Sequence, residues 1–222
     1  MSTSIFIEKK SSRCILIMNR VLFVTALLLI IWFFIPIYEK PRVLKNVLTG
    51  DECEHIVKIA ESKLKPSTVG NFKLDTSERK SETAWLLPSE DPVVDKLIHK
   101  CQSMTDRPLE NFEDLQVLRY KPGGFYRPHQ DAFPNEKNRR MYTFIIALND
   151  EYEGGETVFP IINKSYRLKK GDALFFNTLN NYECMTKKAI HGGAPVQSGE
   201  KWICNLWVHK YTYTGPQHLK DK

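Results

Sequence analysis

Apolar and polar positions along the chain change their pattern twice. From Val21 to Ile37 the run VLFVTALLLIIWFFIPI holds seventeen residues without a charge, at the short end of what crosses a bilayer as a helix. Between Gly50 and Leu64, Cys53, Ile56, Val57, Ala60 and Leu64 recur at helical spacing, with Thr49 or Asp51 available as cap. A second helix is predicted from Pro92, capped by Ser89 or Asp91, with Val94, Leu97, Ile98 and Cys101 on one face. The stretch from Lys65 to Ser81 is polar and mixed, and predicts a mobile loop. After residue 114 the helical spacing disappears.

There the apolar residues gather into short runs: Leu115 to Tyr120, Met141 to Leu148, Ala173 to Phe176 and Trp202 to His209. Pro-Gly-Gly, Asn-Asp, Glu-Gly-Gly-Glu and Lys-Lys-Gly-Asp punctuate them. Short strands with glycine-bearing turns and no intervening helix predict a sandwich or barrel. The expected class is α+β, two helices bracing the outside of a β unit. The expected organisation is a terminal segment (1–20), an anchor (21–37), a helical support region (38–113), a β core (114–212) and a tail (213–222).

Charge sharpens the first element. The chain has 222 residues and a formal charge of +6, but residues 1–45 carry seven Lys/Arg against two acids. The remainder is nearly neutral, which argues against a phosphate-tracking surface and hence against nucleic acid as partner. The basic excess flanks the apolar run, where Trp32 and Tyr38 are expected near the far interface. No small-residue cleavage pattern follows Phe34, so an uncleaved anchor is expected. The short leader favours a single-pass type II membrane protein of the endoplasmic reticulum or Golgi, its domain in the lumen. In that setting Asn163, in Asn163-Lys164-Ser165, is a candidate glycosylation site. Cys14, Cys53, Cys101, Cys184 and Cys204 form no Cys-x-x-Cys pair and no zinc spacing. The last four permit three disulfide pairings or buried free thiols, and spacing does not choose among them.

Candidate chemistry lies in the β region. In Tyr126-Arg127-Pro128-His129-Gln130-Asp131, His129 and Asp131 stand at i and i+2, so an extended backbone projects both from one face. His191 follows sixty-two residues later, a separation that antiparallel strands can close. Two imidazoles and one carboxylate leave open positions on a metal, the arrangement expected for non-haem Fe(II). His-x-Asp alone is more often a surface pair, so Lys201 matters. An ammonium buried one strand from the metal calls for an anionic partner such as a metal-bound dicarboxylate.

Together these stretches resemble the prolyl 4-hydroxylase branch of the 2-oxoglutarate dioxygenases. The matching residues are Leu115 to Tyr120, Gly123 to Asp131, Arg140 to Asp150, Glu153 to Pro160, Gly171 to Phe176 and His191 to His209. The resemblance implies a double-stranded β-helix, or jelly roll, with His129, Asp131 and His191 as iron ligands. Lys201 matches the lysine that pairs with 2-oxoglutarate, and Tyr120 and Thr157 match residues lining that pocket. Glu113, Tyr126, Arg140, Trp207 and His209 match positions that face or shape a peptide groove. The implied reaction is 4-hydroxylation of peptidyl proline in a peptide or protein substrate, using Fe(II), 2-oxoglutarate and O2, releasing succinate and CO2, with ascorbate as supporting reductant. The alternatives are the same chemistry on a lysyl residue or a regulatory protein, and a catalytically silent binding module. Ala194 stands where relatives often carry cysteine. Gly154 and Gly155 are adequately explained as a turn, and His55, His99 and His218 match nothing.

Overall fold

Alternation along the strands sorts their side chains into two cores. The computed structural model describes residues 18–28, 30–69 and 74–215; Cys14, His218 and the end of the expected tail lie outside them. The chain divides into two units, Met1–Ile37 and Tyr38–Lys222.

In the second unit a seven-stranded sheet runs in the order β1 (Arg42–Leu44), β11 (Ala173–Asn177), β7 (Arg140–Ala147), β14 (Lys201–His209), β5 (Leu115–Tyr120), β4 (Glu82–Leu86) and β2 (Lys65–Pro66). A five-stranded sheet runs β10 (Lys164–Tyr166), β9 (Thr157–Phe159), β12 (His191–Gly193), β6 (Phe125–His129) and β3 (Arg79–Lys80). A third pair joins β8 (Tyr152–Gly154) to β13 (Val196–Gly199). The named strands pair antiparallel throughout, and strand neighbours are far apart in sequence, which gives the expected jelly roll.

On β5, β7, β11 and β14, residues Val117, Phe144, Ile146, Phe175 and Cys204 enter one core. Their neighbours Leu118, Ile145, Leu174, Phe176 and Ile203 enter the other, together with Phe159 of the smaller sheet. Both faces are buried, which is why these strands read in sequence as continuous apolar runs. Helices α2 (Gly50–Glu61) and α3 (Pro92–Gln102) close the first core with Cys53, Ile56, Ala60, Val94, Leu97, Ile98 and Cys101. Thr49 caps α2 in a reciprocal box with Glu52, and Asp91 caps α3 by accepting from the backbone N–H groups of Val93 and Val94, each cap contributing about 1 kcal/mol. His55 bonds that same Asp91, and His99 bonds its own helix. Helix α2 stops at Glu61, three residues before the expected end.

Four expectations need correction. Helix α1 covers residues 18–28 and 30–33 and then turns, so the helix expected over 21–37 is not realised in full. Pro36 clashes with the carbonyl four residues back and bars helical geometry at Ile35; the last turn tightens, with Phe34 and Ile35 bonded three residues back. Among the described residues no helix is long and apolar enough to cross a membrane. Tyr38, expected at a membrane interface, is instead buried in the second unit. The segment from Lys65 to Ser81, expected as a loop, contributes β2 and β3, which extend both sheets; strands of two residues are too short to show alternation. The support region 38–113 is therefore not purely helical. Cys53, Cys101, Cys184 and Cys204 are free thiols, of which only Cys184 is exposed.

Candidate active site

Strand register closes the sixty-two-residue gap. His129 ends β6, His191 begins β12, and the two residues are direct partners across the ladder. The close approach depends on Gly192, because a Cβ there would stand 2.7 Å from the Tyr126 carbonyl oxygen. Asp131 lies just past the end of β6 in a bend and is buried. Ligand atoms from His129, Asp131 and His191 all lie within 4.8 Å of one another. Each imidazole Nε2 is 3.6 Å from an Asp131 carboxylate oxygen.

Hydrogen bonds fix what these atoms offer. Nδ1 of His129 donates to the Arg127 carbonyl at 2.8 Å, and Nδ1 of His191 donates to the Ala189 carbonyl at 3.1 Å. Those bonds assign the tautomer that turns both Nε2 lone pairs inward. Burial, opposed by Asp131, pushes His191 down to about 4, so it is neutral at pH 7. Burial works to raise Asp131, but His191 and the His129 contact outweigh it and hold the carboxyl well below the usual range. Thr143 donates to the same carboxylate at 2.7 Å. Inward lone pairs facing a carboxylate, with no donor between them, fit a divalent cation. Phe159 and Phe176 pack on His191, and Tyr126 stacks on His129 at 3.7 Å.

A small cavity of about 30 Å³ opens beside His129 and His191, lined also by Tyr120, Thr157, Asn205 and Lys201. Lys201 lies opposite Tyr120 in the β14–β5 ladder and is 4% exposed. Its ammonium donates to the Gly155 carbonyl at 2.6 Å and lies 5.3 Å from the Tyr120 ring centre. Among the described residues no carboxylate comes within ion-pair distance of it. Burial, opposed by Glu156 and reinforced by Arg167, pushes it down to about 8. A buried cation lacking a counter-ion fits the distal carboxylate of 2-oxoglutarate. The glycine pair thus does more than turn: φ is +69° at Gly154 and +68° at Gly155, and Gly155 supplies Lys201's acceptor.

A larger cleft of about 730 Å³ adjoins His129 and Asp131, lined by all five expected groove residues. Four of them, Glu113, Arg140, Trp207 and His209, form one network. Arg140 grips Glu113 through Nε at 2.5 Å and its terminal nitrogen at 3.0 Å, and lies 3.8 Å over the Trp207 ring. His209 Nε2 is 2.7 Å from the same carboxylate. Arg140, which stands beside Arg139 in sequence, is therefore no solvated pair.

Sequence reading missed four contributors. Arg79 on β3 is buried, lies over the Tyr126 ring and faces the cleft; a two-residue strand gave no signal for it. Asn205 stands on the same face of β14 as Lys201, Trp207 and His209, and extending period two from Lys201 would have found it. Trp85 pairs with Trp207 at 6.2 Å between ring centres. Tyr213, assigned to the tail, lines the cleft.

The comparisons agree with this geometry. Residues 115–209 match the family model of the 2OG-Fe(II) oxygenase superfamily. A protein of Acanthamoeba polyphaga mimivirus bearing the prolyl 4-hydroxylase name is 35% identical, over 80% of this chain and 77% of its own. Prolyl 4-hydroxylase 5 of Arabidopsis thaliana is 33% identical, over 78% of this chain and 70% of its own. The solved structure of a viral collagen prolyl hydroxylase from Paramecium Bursaria Chlorella virus-1, as its 2-oxoglutarate complex, superposes with a TM-score of 0.67 at 31% identity, covering 78% of this chain and 97% of that one. The chain therefore belongs to the prolyl 4-hydroxylase family of Fe(II)- and 2-oxoglutarate-dependent dioxygenases.

Proposed function

We propose that the protein hydroxylates C4 of peptidyl proline, converting 2-oxoglutarate and O2 into succinate and CO2. The observation that carries this reading is the convergence of His129, Asp131 and His191 beside a cavity that ends on a buried Lys201 with no carboxylate partner among the described residues. In this reading those three residues hold Fe(II), and the bound metal with its cosubstrates supplies the oxidising power. Lys201 anchors the far carboxylate of 2-oxoglutarate, while Tyr120 and Thr157 shape the walls around it. Phe159 and Phe176 behind His191 exclude water.

The substrate assignment has its own support. Trp85, Tyr126, Trp207 and Tyr213 give the adjoining cleft an aromatic lining, the surface on which extended proline-rich segments dock. Arg140, fixed by Glu113, offers donors toward peptide carbonyls. The test is incubation of the full chain with Fe(II), 2-oxoglutarate, ascorbate and a library of proline-containing peptides. Addition of one oxygen atom to proline should match succinate formed, and His129→Ala should abolish both. Iron-dependent succinate formation that survives in His129→Ala overturns the assignment.

Attachment to a membrane through residues 21–37, in type II orientation with the catalytic unit in the endoplasmic reticulum or Golgi lumen, belongs to the same proposal. Its support is the uncharged run, its exposed large side chains such as Phe23, Trp32 and Phe33, and the basic residues flanking it.

A further inference from the structure

The chain that follows β14 is bound into the wall of the cleft from two sides. On one side Asn138, at the end of the loop after Phe133, uses its side-chain amide as a clamp. Its Nδ2 donates to the carbonyls of Tyr211 at 3.2 Å and Thr212 at 3.0 Å, and its Oδ1 accepts from the Tyr211 N–H at 2.8 Å. On the other side the Tyr213 N–H donates to the Glu110 carbonyl at 2.7 Å. Backbone bonds therefore place Tyr213 without help from its ring.

The ring has a different partner. It stacks on His209, with centres 4.8 Å apart and planes 22° from parallel. His209 is held at both nitrogens: Nδ1 faces the Asn138 carbonyl at 2.8 Å and Nε2 faces the Glu113 carboxylate at 2.7 Å. Those two contacts fix the plane of the imidazole. The imidazole so fixed is a flat platform for the phenol ring, and the stack holds Tyr213 half-exposed in the cleft shared with Tyr126, Trp85 and Trp207.

We propose that Tyr213 is a specificity-determining residue of the peptide groove, offering its ring face to a proline of the bound peptide, and that Asn138 is the positioning residue that keeps it there. The proposal rests on the prolyl-peptide reading of the cleft. Tyr213 lines the cleft and not the Lys201 cavity, so it acts on peptide binding and not on 2-oxoglutarate.

The experiment compares steady-state kinetics of the metal-loaded full chain with its Tyr213→Ala, Tyr213→Leu, Tyr213→Phe and Asn138→Ala variants, varying a proline-rich peptide and 2-oxoglutarate separately. The expected result is a rise of about tenfold in peptide KM for Tyr213→Ala, Tyr213→Leu and Asn138→Ala, with KM for 2-oxoglutarate unchanged and Tyr213→Phe near wild type. Tyr213→Leu keeps the bulk of the side chain and reads the aromatic face alone. Wild-type peptide KM in both Tyr213→Ala and Tyr213→Leu overturns this proposal and leaves the hydroxylase reading intact, as does a parallel rise in KM for 2-oxoglutarate. A wild-type chain that hydroxylates no prolyl peptide overturns the hydroxylase reading, and this one with it.

Discussion

Lys201 carries a charge into a cavity that, among the described residues, offers it one backbone carbonyl and no carboxylate. Its folded-state pKa, lowered to about 8, has a direct consequence for ligand affinity. Below pH 8 the ammonium is present and the dicarboxylate finds its partner; as pH rises through 8 the free protein loses that proton and must regain it to bind. The apparent Kd for 2-oxoglutarate should be flat to pH 8 in respect of this group and then rise by up to roughly tenfold per pH unit. Titration calorimetry at pH 7, 8 and 9 checks it. Lys201→Arg, which never deprotonates, should remove the slope, and a slope that persists in that variant excludes Lys201 as its source. Glu113 runs with the opposite sign. Burial works to raise its pKa, but Arg140 and His209 outweigh burial and hold it below the ordinary value. The stabilisation it provides is thus complete at neutral pH and lost as pH falls through its lowered folded-state value. Replacing Glu113 with Gln leaves the Arg140 guanidinium without its counter-charge, at a cost of about 3–5 kcal/mol. Urea denaturation at pH 7 should show that loss, and the gap between variant and wild type should narrow as acid protonates Glu113.

At the scale of elements, the site depends on how closely β12 lies against β6. Gly192 has an ordinary φ, so its requirement is space and not conformation: Tyr126 O would stand 2.7 Å, Pro128 N 3.0 Å and Arg127 C 3.1 Å from an added Cβ. Gly193, one residue on, has nothing nearer than 3.7 Å. Gly192→Ala should push the strands apart, costing about 1–3 kcal/mol and weakening metal binding by roughly 10–100-fold as His191 leaves its place opposite His129. Gly193→Ala should do neither, so equal metal affinity in the two variants would refute the argument. The same ladder shows what the sequence could and could not reveal. The helices were legible because Thr49, Asp91 and Pro92 mark their starts and an apolar face recurs along each. The four long strands were legible because burial on both faces made them apolar throughout. His129, Asp131, His191 and Lys201 were legible from residue type and spacing once antiparallel pairing was assumed. What escaped has a physical reason. Strands β2 and β3 are two residues long, so Arg79 carried no pattern. The groove network joins Glu113, Arg140 and His209 across 27 and 96 residues, contacts that no local pattern encodes. Tyr38 follows an apolar run, so the pattern groups it with that run, although it packs in the catalytic unit.

For the whole molecule, the charge distribution and the division at Ile37 lead to a prediction about address. The basic excess lies in residues 1–45, while Tyr38–Lys222 is a unit with its own cores. A chain beginning at Tyr38 should keep the thermal midpoint and peptide turnover of the full chain while leaving the membrane fraction. A chain beginning at Asn46 should not. It lacks β1, the buried Tyr38 ring and the Lys45–Asp172 ion pair; loss of the ring alone is about 2 kcal/mol, or roughly 4–8 °C in Tm. Orientation can be read from Asn163. It caps a short 3-10 helix in left-handed geometry at φ 49° and is exposed, as are Lys164 and Ser165 after it, so the sequon is open to a transferase on whichever side the unit faces. Translation into endoplasmic-reticulum vesicles should give a glycosidase-sensitive mobility shift that Asn163→Gln abolishes, on a chain that resists external protease. A sequon that stays bare on a chain cleaved from outside would place the catalytic unit in the cytosol, leaving its chemistry intact and changing which peptides it meets.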